Sequence, residues 1–288
     1  MLFERVAAVD GFNCRMSSST VGSKEMPVTV KFGSSAADLR HPFGLNRVAF
    51  PATLLSVEEH RMPAPLPQPA LRDWIWLMAS KRKFPKRKRR AKWRAMWQFE
   101  AKVAGLRTGD IAIDCGASDG QCTRQLAATG ATVYAFEPDP HGYASLQAMF
   151  GGTANIKLME QAVGIERARV PLFRSPAFAV NPNHYVQASS LYASKADVAS
   201  TESIVVEQID LLSFISALPH RVALLKLDIE GSEVPILERL LDTGIVSRVD
   251  CIFAETHERF VPELVTRTVA LRQRIAREKL LHINLDWI

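Results

Sequence analysis

From Asp110 onward, short apolar runs alternate with stretches in which apolar residues recur every third or fourth position. Residues 111–114, 132–136, 156–159 and 222–228 are nearly unbroken apolar runs, the pattern of strands buried on both faces of a sheet. Residues 249–254 and 281–287 supply two more strands, and 169–173 reads as a short hairpin strand. The helical period occupies 121–129, closed by Gly130, and 141–150, ended by Gly151 and Gly152. It returns in a short helix after Asp210, over 233–241 before Gly244, and from Pro262 to about Glu278. Strand and helix in regular turn predict an α/β fold: a doubly wound, mostly parallel sheet with helices on both faces. Residues 175–203 interrupt the pattern, and their Asn181, Asn183, His184 and Tyr185 suit a substrate-facing loop.

The first 70 residues hold neither period. Rich in Ser, Pro and Gly, they are expected to be a disordered extension, with Met62 or Met78 as alternative starts. Residues 71–105 form a leading helical segment: an apolar run with Trp74 and Trp76, a basic run, then Trp93, Met96, Trp97, Ala101 and Ala104 on one helical face. Residues 106–288 are then the main domain.

Composition adds one local feature. Of a formal net charge of +6, ten Lys or Arg lie within residues 81–94, which contain no acid, so the rest of the chain carries −4. The plain explanation is the solvated face of a packed helix; the sharper one is peripheral contact with an anionic surface, membrane or nucleic acid. Cys14, Cys115, Cys122 and Cys251 have no metal-ligand spacing and are too few for a disulfide framework, which fits a reduced, cytoplasmic setting. With neither a signal-peptide pattern nor about 18 consecutive apolar residues, neither secretion nor a transmembrane span is expected.

Candidate chemistry begins at the first strand's end. Gly116, Ala117, Ser118, Asp119 and Gly120 form a small-residue turn before a helix, where the backbone can approach a ligand and free amides face it. The second strand ends in Glu137-Pro138, with the acid placed to accept hydrogen bonds from ribose hydroxyls. Strand, turn, helix, strand and acid make an adenosine-binding layout. The third glycine of a dinucleotide fingerprint is missing, and Asp114 and Asp119 would repel a pyrophosphate. Both acids suit a cationic ligand with an amino group and a sulfonium. Gln161 and Ala162, after the third strand, stand where an adenine would lie.

A second constellation ends the strand 222–228. Asp228, Glu230 and Glu233 place three carboxylates within six residues at a strand C-terminus, the edge where open α/β sheets bind ligands. Ser232 is expected to cap the next helix and Glu233 to serve its first turn, leaving Asp228 and Glu230 for chemistry. Glu255 and His257 follow the next strand to the same edge. Asp228 and Glu255 are ligand types for a hard cation, but two carboxylates at unfixed distance assign no metal.

The run Ile113-Asp114-Cys115-Gly116-Ala117, the tip Phe136-Glu137-Pro138-Asp139-Pro140, Gln161-Ala162-Val163-Gly164, Ser189-Ser190-Leu191, and Lys226 through Glu233 followed by Glu255 and His257 together resemble the FkbM-type S-adenosylmethionine-dependent methyltransferases. The resemblance spans residues 110–257 and implies a class I, Rossmann-like methyltransferase fold. It also implies S-adenosyl-L-methionine as cofactor and O-methylation of a hydroxyl on a sugar, glycan or natural product. Asp114, Gly116 and Glu137 would hold the cofactor; Asp228, Glu230 and His257 would surround the methyl group and acceptor, with His257 as base if it titrates near neutrality and Asp228 as positioner. That fold has sheet order 3-2-1-4-5-7-6 with an antiparallel seventh strand. Nothing after residue 287 can form it, so the sheet is shorter or borrows a hairpin. Alternatives are a nucleic-acid methyltransferase, for which the basic run speaks, an NAD(P) oxidoreductase, and a non-catalytic nucleotide-binding module.

Overall fold

The computed structural model describes residues 86–199 and 201–287. The expected disordered extension, the Trp74–Trp76 run and the first part of the basic run lie outside the described residues. Among those described, no helix is long and apolar enough to cross a membrane.

The chain forms α1 (Lys86–Ala104), β1 (Ile111–Cys115), α2 (Gln121–Ala127), β2 (Thr132–Phe136), α3 (Pro140–Phe150) and β3 (Ile156–Met159). Then come β4 (Ala162–Gly164), β5 (Ala168–Phe173), the short α4 (Pro182–Tyr185), β6 (Ser203–Asp210) and α5 (Leu211–Ala217). β7 (Val222–Leu227), α6 (Glu233–Thr243), β8 (Ile252–Ala254), α7 (Val265–Arg277) and β9 (Ile283–Asn284) complete it. Six strands make one sheet in the order β3-β2-β1-β7-β8-β9, and every pairing in it is parallel. The fold is therefore mixed α/β with a parallel, Rossmann-like sheet. β9 pairs directly with β8, so among the described residues the sheet closes without an antiparallel seventh strand.

Alternation along each strand sorts side chains to two helical layers. Ile111, Ile113 and Cys115 of β1 join Leu211 and Ile215 of α5, Leu237 and Leu240 of α6, and Leu271 of α7 in one cluster. Ala112 and Val133 face the other way, onto Phe99 of α1 and Leu126 of α2, while Ala135 meets Leu146 and Phe150 of α3. Each fully buried Leu, Ile or Phe contributes roughly 1.5–3 kcal/mol of transfer free energy, enough to set the register of strands this short.

Two elements differ from expectation. The buried residues of α1 are Ala95 and Phe99, with Leu106 just after its end, whereas Trp93 and Trp97 are half-buried and stack on each other at 4.7 Å, and Ala101 and Ala104 are exposed. Phe99 wins the inner position because it meets Phe253 edge-on at 5.2 Å, a pairing across the sheet that the helix's own sequence does not display. Residues 204–209, to which the pattern assigns no element, form most of β6. This strand pairs antiparallel with β5 and parallel with β4 in a separate three-stranded sheet. The expected hairpin strand therefore has its partner some thirty residues on (Phe173 opposite Ser203), and the irregular segment between them folds back over the strand ends.

Candidate active site at the strand ends

Register creates the site. Cys115 is level with Phe136 and Leu227, Phe136 with Met159, and Leu227 with Ala254, so the C-terminal ends of five strands finish together. The residues that follow them, Gly116, Glu137, Asp228 and Glu255, all line one cleft of about 360 Å³. It lies where the chain, having run from β1 outward to β3, returns to β7 on β1's other side, the switch point at which open sheets bind ligands.

On the first side, Gly116 sits at φ 80°, and a Cβ there would lie 1.8 Å from the Asp228 carbonyl oxygen, so only glycine fits. The amides of Gly116 and Ala117 both donate to the Phe136 carbonyl at 3.0 and 2.9 Å, curling the turn over β2. Glu137, buried at 5% exposure, accepts from the Ser118 and Asp139 amides at 2.9 Å each. Burial pushes its carboxyl up to about 7, against the lowering effect of those two N–H bonds. Ala117, Ser118, Asp119, Pro138, Gln161 and Ala162 also line the cleft. Asp119 additionally accepts from the Gln121 amide at the start of α2, and Ala162 belongs to strand β4 rather than to a loop. Gly120 packs under Phe150 and is absent from the cleft wall. The Ser118 and Ser189 hydroxyls are buried in that wall without a protein partner, as ligand-directed donors would be.

Asp114 takes a different place from the expected one. It is fully buried beneath the turn, where Thr123 Oγ1 donates to it at 2.7 Å and Lys226 Nζ stands 3.2 Å away, and it does not line the cleft. Lys226, to which the motif reading gave no role, is central. Its buried ammonium donates to the Gly116 carbonyl at 2.7 Å and also lies 3.5 Å from Asp228. Burial alone would lower its pKa, but Asp114 and Asp228 outweigh it and the net shift is upward.

On the second side, the turn after β7 is held by Glu233. Its carboxylate accepts from the Ile229 amide at 2.8 Å, from Gly231 at 3.1 Å, and pairs with His257 Nδ1 at 3.0 Å. Ser232, expected to cap α6, makes no side-chain cap bond. Glu230 adopts φ 59°, a left-handed conformation costly for a side chain of its type, and Gly231 follows at φ 129°. Two contacts over-determine this shape: Ser190 Oγ donates to the Glu230 carbonyl at 2.7 Å, and Lys195 Nζ, itself buried, lies 3.2 Å from Glu230 Oε2. Lys195 also binds the Ala188 carbonyl and Asp197, which fastens the loop between β5 and β6 to the turn. Asp228 and Glu230 face the cleft; burial raises the Glu230 carboxyl to about 7 even against the nearby His257 and Lys195 cations.

His257, expected beside the acceptor, lies behind these acids and is not among the residues that line the cleft. Its Nε2 is 3.3 Å from Glu230 and 3.7 Å from Asp228, so with Glu233 on Nδ1 both ring nitrogens are engaged. Burial would lower its pKa, but the Glu233 hydrogen bond and charge, with Glu230 and Asp228, raise it to about 10. It is an imidazolium at neutral pH, a fixed cation. Because the folded chain holds this proton more tightly than the unfolded one, its stabilisation is full below about 6.5 and drains away as pH rises through 10. We expect the difference in Tm between wild type and His257→Gln to shrink from pH 6 to pH 10, measured by thermal unfolding; a constant difference would exclude this linkage. Asp228, Glu233 and His257 bring ligand atoms within 4.8 Å of one another, but the imidazole and Glu233 are already committed as described, so the cluster is an ion-pair network and no metal is assigned.

A parallel α/β sheet with a glycine turn, a buried acid and two further carboxylates around one cleft at its strand ends is a Rossmann-like arrangement. Residues 114–279 match the FkbM methyltransferase domain, and the chain belongs to that family. Among solved structures it is similar to methyltransferase FkbM from Methylobacillus flagellatus KT, at 16% identity with a TM-score of 0.31, over 59% of this chain and 44% of that one. The chain thus spans less than half the length of that relative. No curated protein matches the chain in sequence.

Proposed function

We propose that the protein is an S-adenosylmethionine-dependent O-methyltransferase with a class I type of fold, acting on a hydroxyl of a sugar, glycan or natural product. The observation that carries this reading is the cleft itself. The Gly116 turn and the Glu137 carboxylate form one wall, and Asp228 and Glu230 face them across about 360 Å³. Asp119, Glu137, Asp228 and Glu230 make the cleft hostile to a pyrophosphate and suited to a cation.

Glu137 would hold the ribose of the cofactor through lone pairs left over from its two backbone bonds, with Ser118 beside it and Gln161 and Ala162 against the adenine. When bound, S-adenosylmethionine supplies a methyl group already activated on a sulfonium. The chain's own task is to align the acceptor oxygen and remove its proton. Asp228 orients the hydroxyl, and Glu230, titrating near neutrality at the cleft surface, takes the proton. His257 and Lys195 hold Glu230 in place from behind.

Isothermal titration with S-adenosylhomocysteine is the direct test: saturable binding is expected, and its absence would sink the assignment. Glu137→Ala should weaken that binding by about 1–3 kcal/mol, roughly 5- to 150-fold, while methyl transfer at saturating cofactor persists.

A further inference from the structure

The cleft extends beyond Asp228 into a corner built largely outside the family domain. Phe99 from α1 and Trp287 after β9 line it, their rings 5.2 Å apart, and both lie outside the matched residues 114–279. The corner is firmly built. Arg272 clamps the Trp287 segment through Asp286 at 2.9 Å and the Leu285 carbonyl at 2.7 Å, and Asn284 donates to Gln98 of α1 at 2.6 Å. Glu255 supplies the polar group. Its carboxylate, raised by burial and by Asp228, is ion-paired among the described residues with Lys92 at 3.9 Å and Arg259 at 3.6 Å.

Charge in the cleft is one-sided. Asp119, Glu137, Asp228, Glu230 and Glu255 line it against Lys226, whose ammonium is held by Gly116, Asp114 and Asp228 and lies 5.6 Å from the centre of the Trp287 ring. An anion about 4 Å from one such carboxylate would meet a repulsion of about 4 kcal/mol at a surface-like dielectric. An aromatic wall beside a carboxylate instead favours the C–H face of a polar ring, and a cation above all.

We propose that this corner is the acceptor subsite: Trp287, backed by the buried Phe99, takes the apolar face of a hydroxyl- or amino-bearing ring, Glu255 binds its polar group, and negatively charged rings are excluded. Its role as an acceptor site rests on the methyltransferase reading; its ability to bind such a ring does not.

The test titrates the full chain with phenyl glucoside, phenyl glucosaminide and phenyl glucuronide as neutral, cationic and anionic probes, followed by saturation-transfer NMR, with S-adenosylhomocysteine titrated in parallel. The glucosaminide should bind best and the glucuronide at least tenfold more weakly than the glucoside. Glu255→Gln should remove the cationic preference. Trp287→Ala should weaken the first two probes tenfold or more with S-adenosylhomocysteine affinity unchanged, and Trp287→Phe, which keeps a ring, should restore most of it. Equal binding of the glucuronide, no binding of any probe, or an unaffected Trp287→Ala variant would overturn the proposal. So would a parallel loss of S-adenosylhomocysteine affinity in that variant, which would place the cofactor in the corner. Probe binding as expected without any S-adenosylhomocysteine binding would support the ring site and overturn the methyltransferase reading instead.

Discussion

Glu230→Gln is expected to lower turnover by about 10²- to 10⁴-fold while leaving S-adenosylhomocysteine affinity within a few-fold of wild type. The substitution keeps the shape of the side chain and removes its ability to accept a proton. The proposed base has a place in the cleft wall, a carboxyl lifted by burial to about 7, and a strained φ of 59° held by Ser190 and Lys195. A base must be deprotonated to act, so wild-type kcat/KM should rise with pH to a plateau above 7, and the residual activity of Glu230→Gln should lack that limb. Because the Lys195 charge lowers the Glu230 pKa, Lys195→Met should move the limb to higher pH. Full activity in Glu230→Gln would return the proton to Asp228 or to solvent.

Lys226→Met should destabilise the protein by about 3–5 kcal/mol, because it removes the cation from beside a carboxylate that has no access to water. Asp114 is fully buried, and with Lys226 gone only the neutral groups of Thr123 and Cys122 would remain beside it among the described residues. The Gly116 carbonyl would lose its 2.7 Å donor in the same step, loosening the turn that curls over β2. Chemical denaturation gives the measurement. The double variant Asp114→Asn with Lys226→Met should be less destabilised than the sum of the two single changes, since each single change strands the other partner. Strict additivity would show that the pair is not coupled.

The strands 132–136 and 156–159 were legible to the residue, and β1, β7 and α6 to within a residue or two, because unbroken apolar runs bounded by Gly, Pro or acids admit few alternatives. The strand-end acids were legible for a related reason: a buried strand has no structural need for Asp228, Glu230 and Glu255 at its tip. β6 escaped because its pattern is half-exposed, and its partner strand lies beyond a long loop. The α1 face was misread because tryptophans carry the bulk of core residues, while the inner position went to Phe99 through its fit against Phe253.

Which carboxylate meets which cation lay beyond any local reading. Residues 114, 226 and 257 sit at three different strand ends, and only sheet register sets Lys226 against Asp114 and closes Glu233, Glu230 and Asp228 around His257. Residue types and local periods established that a glycine turn, a strand-end acid and a cluster of acids would share one edge of a parallel sheet. Tertiary packing decided which of those acids face the cleft and which are consumed as buried ion pairs, since the charge state of a group depends on the water it loses and the partners it gains, and both are set by chain segments far apart in sequence.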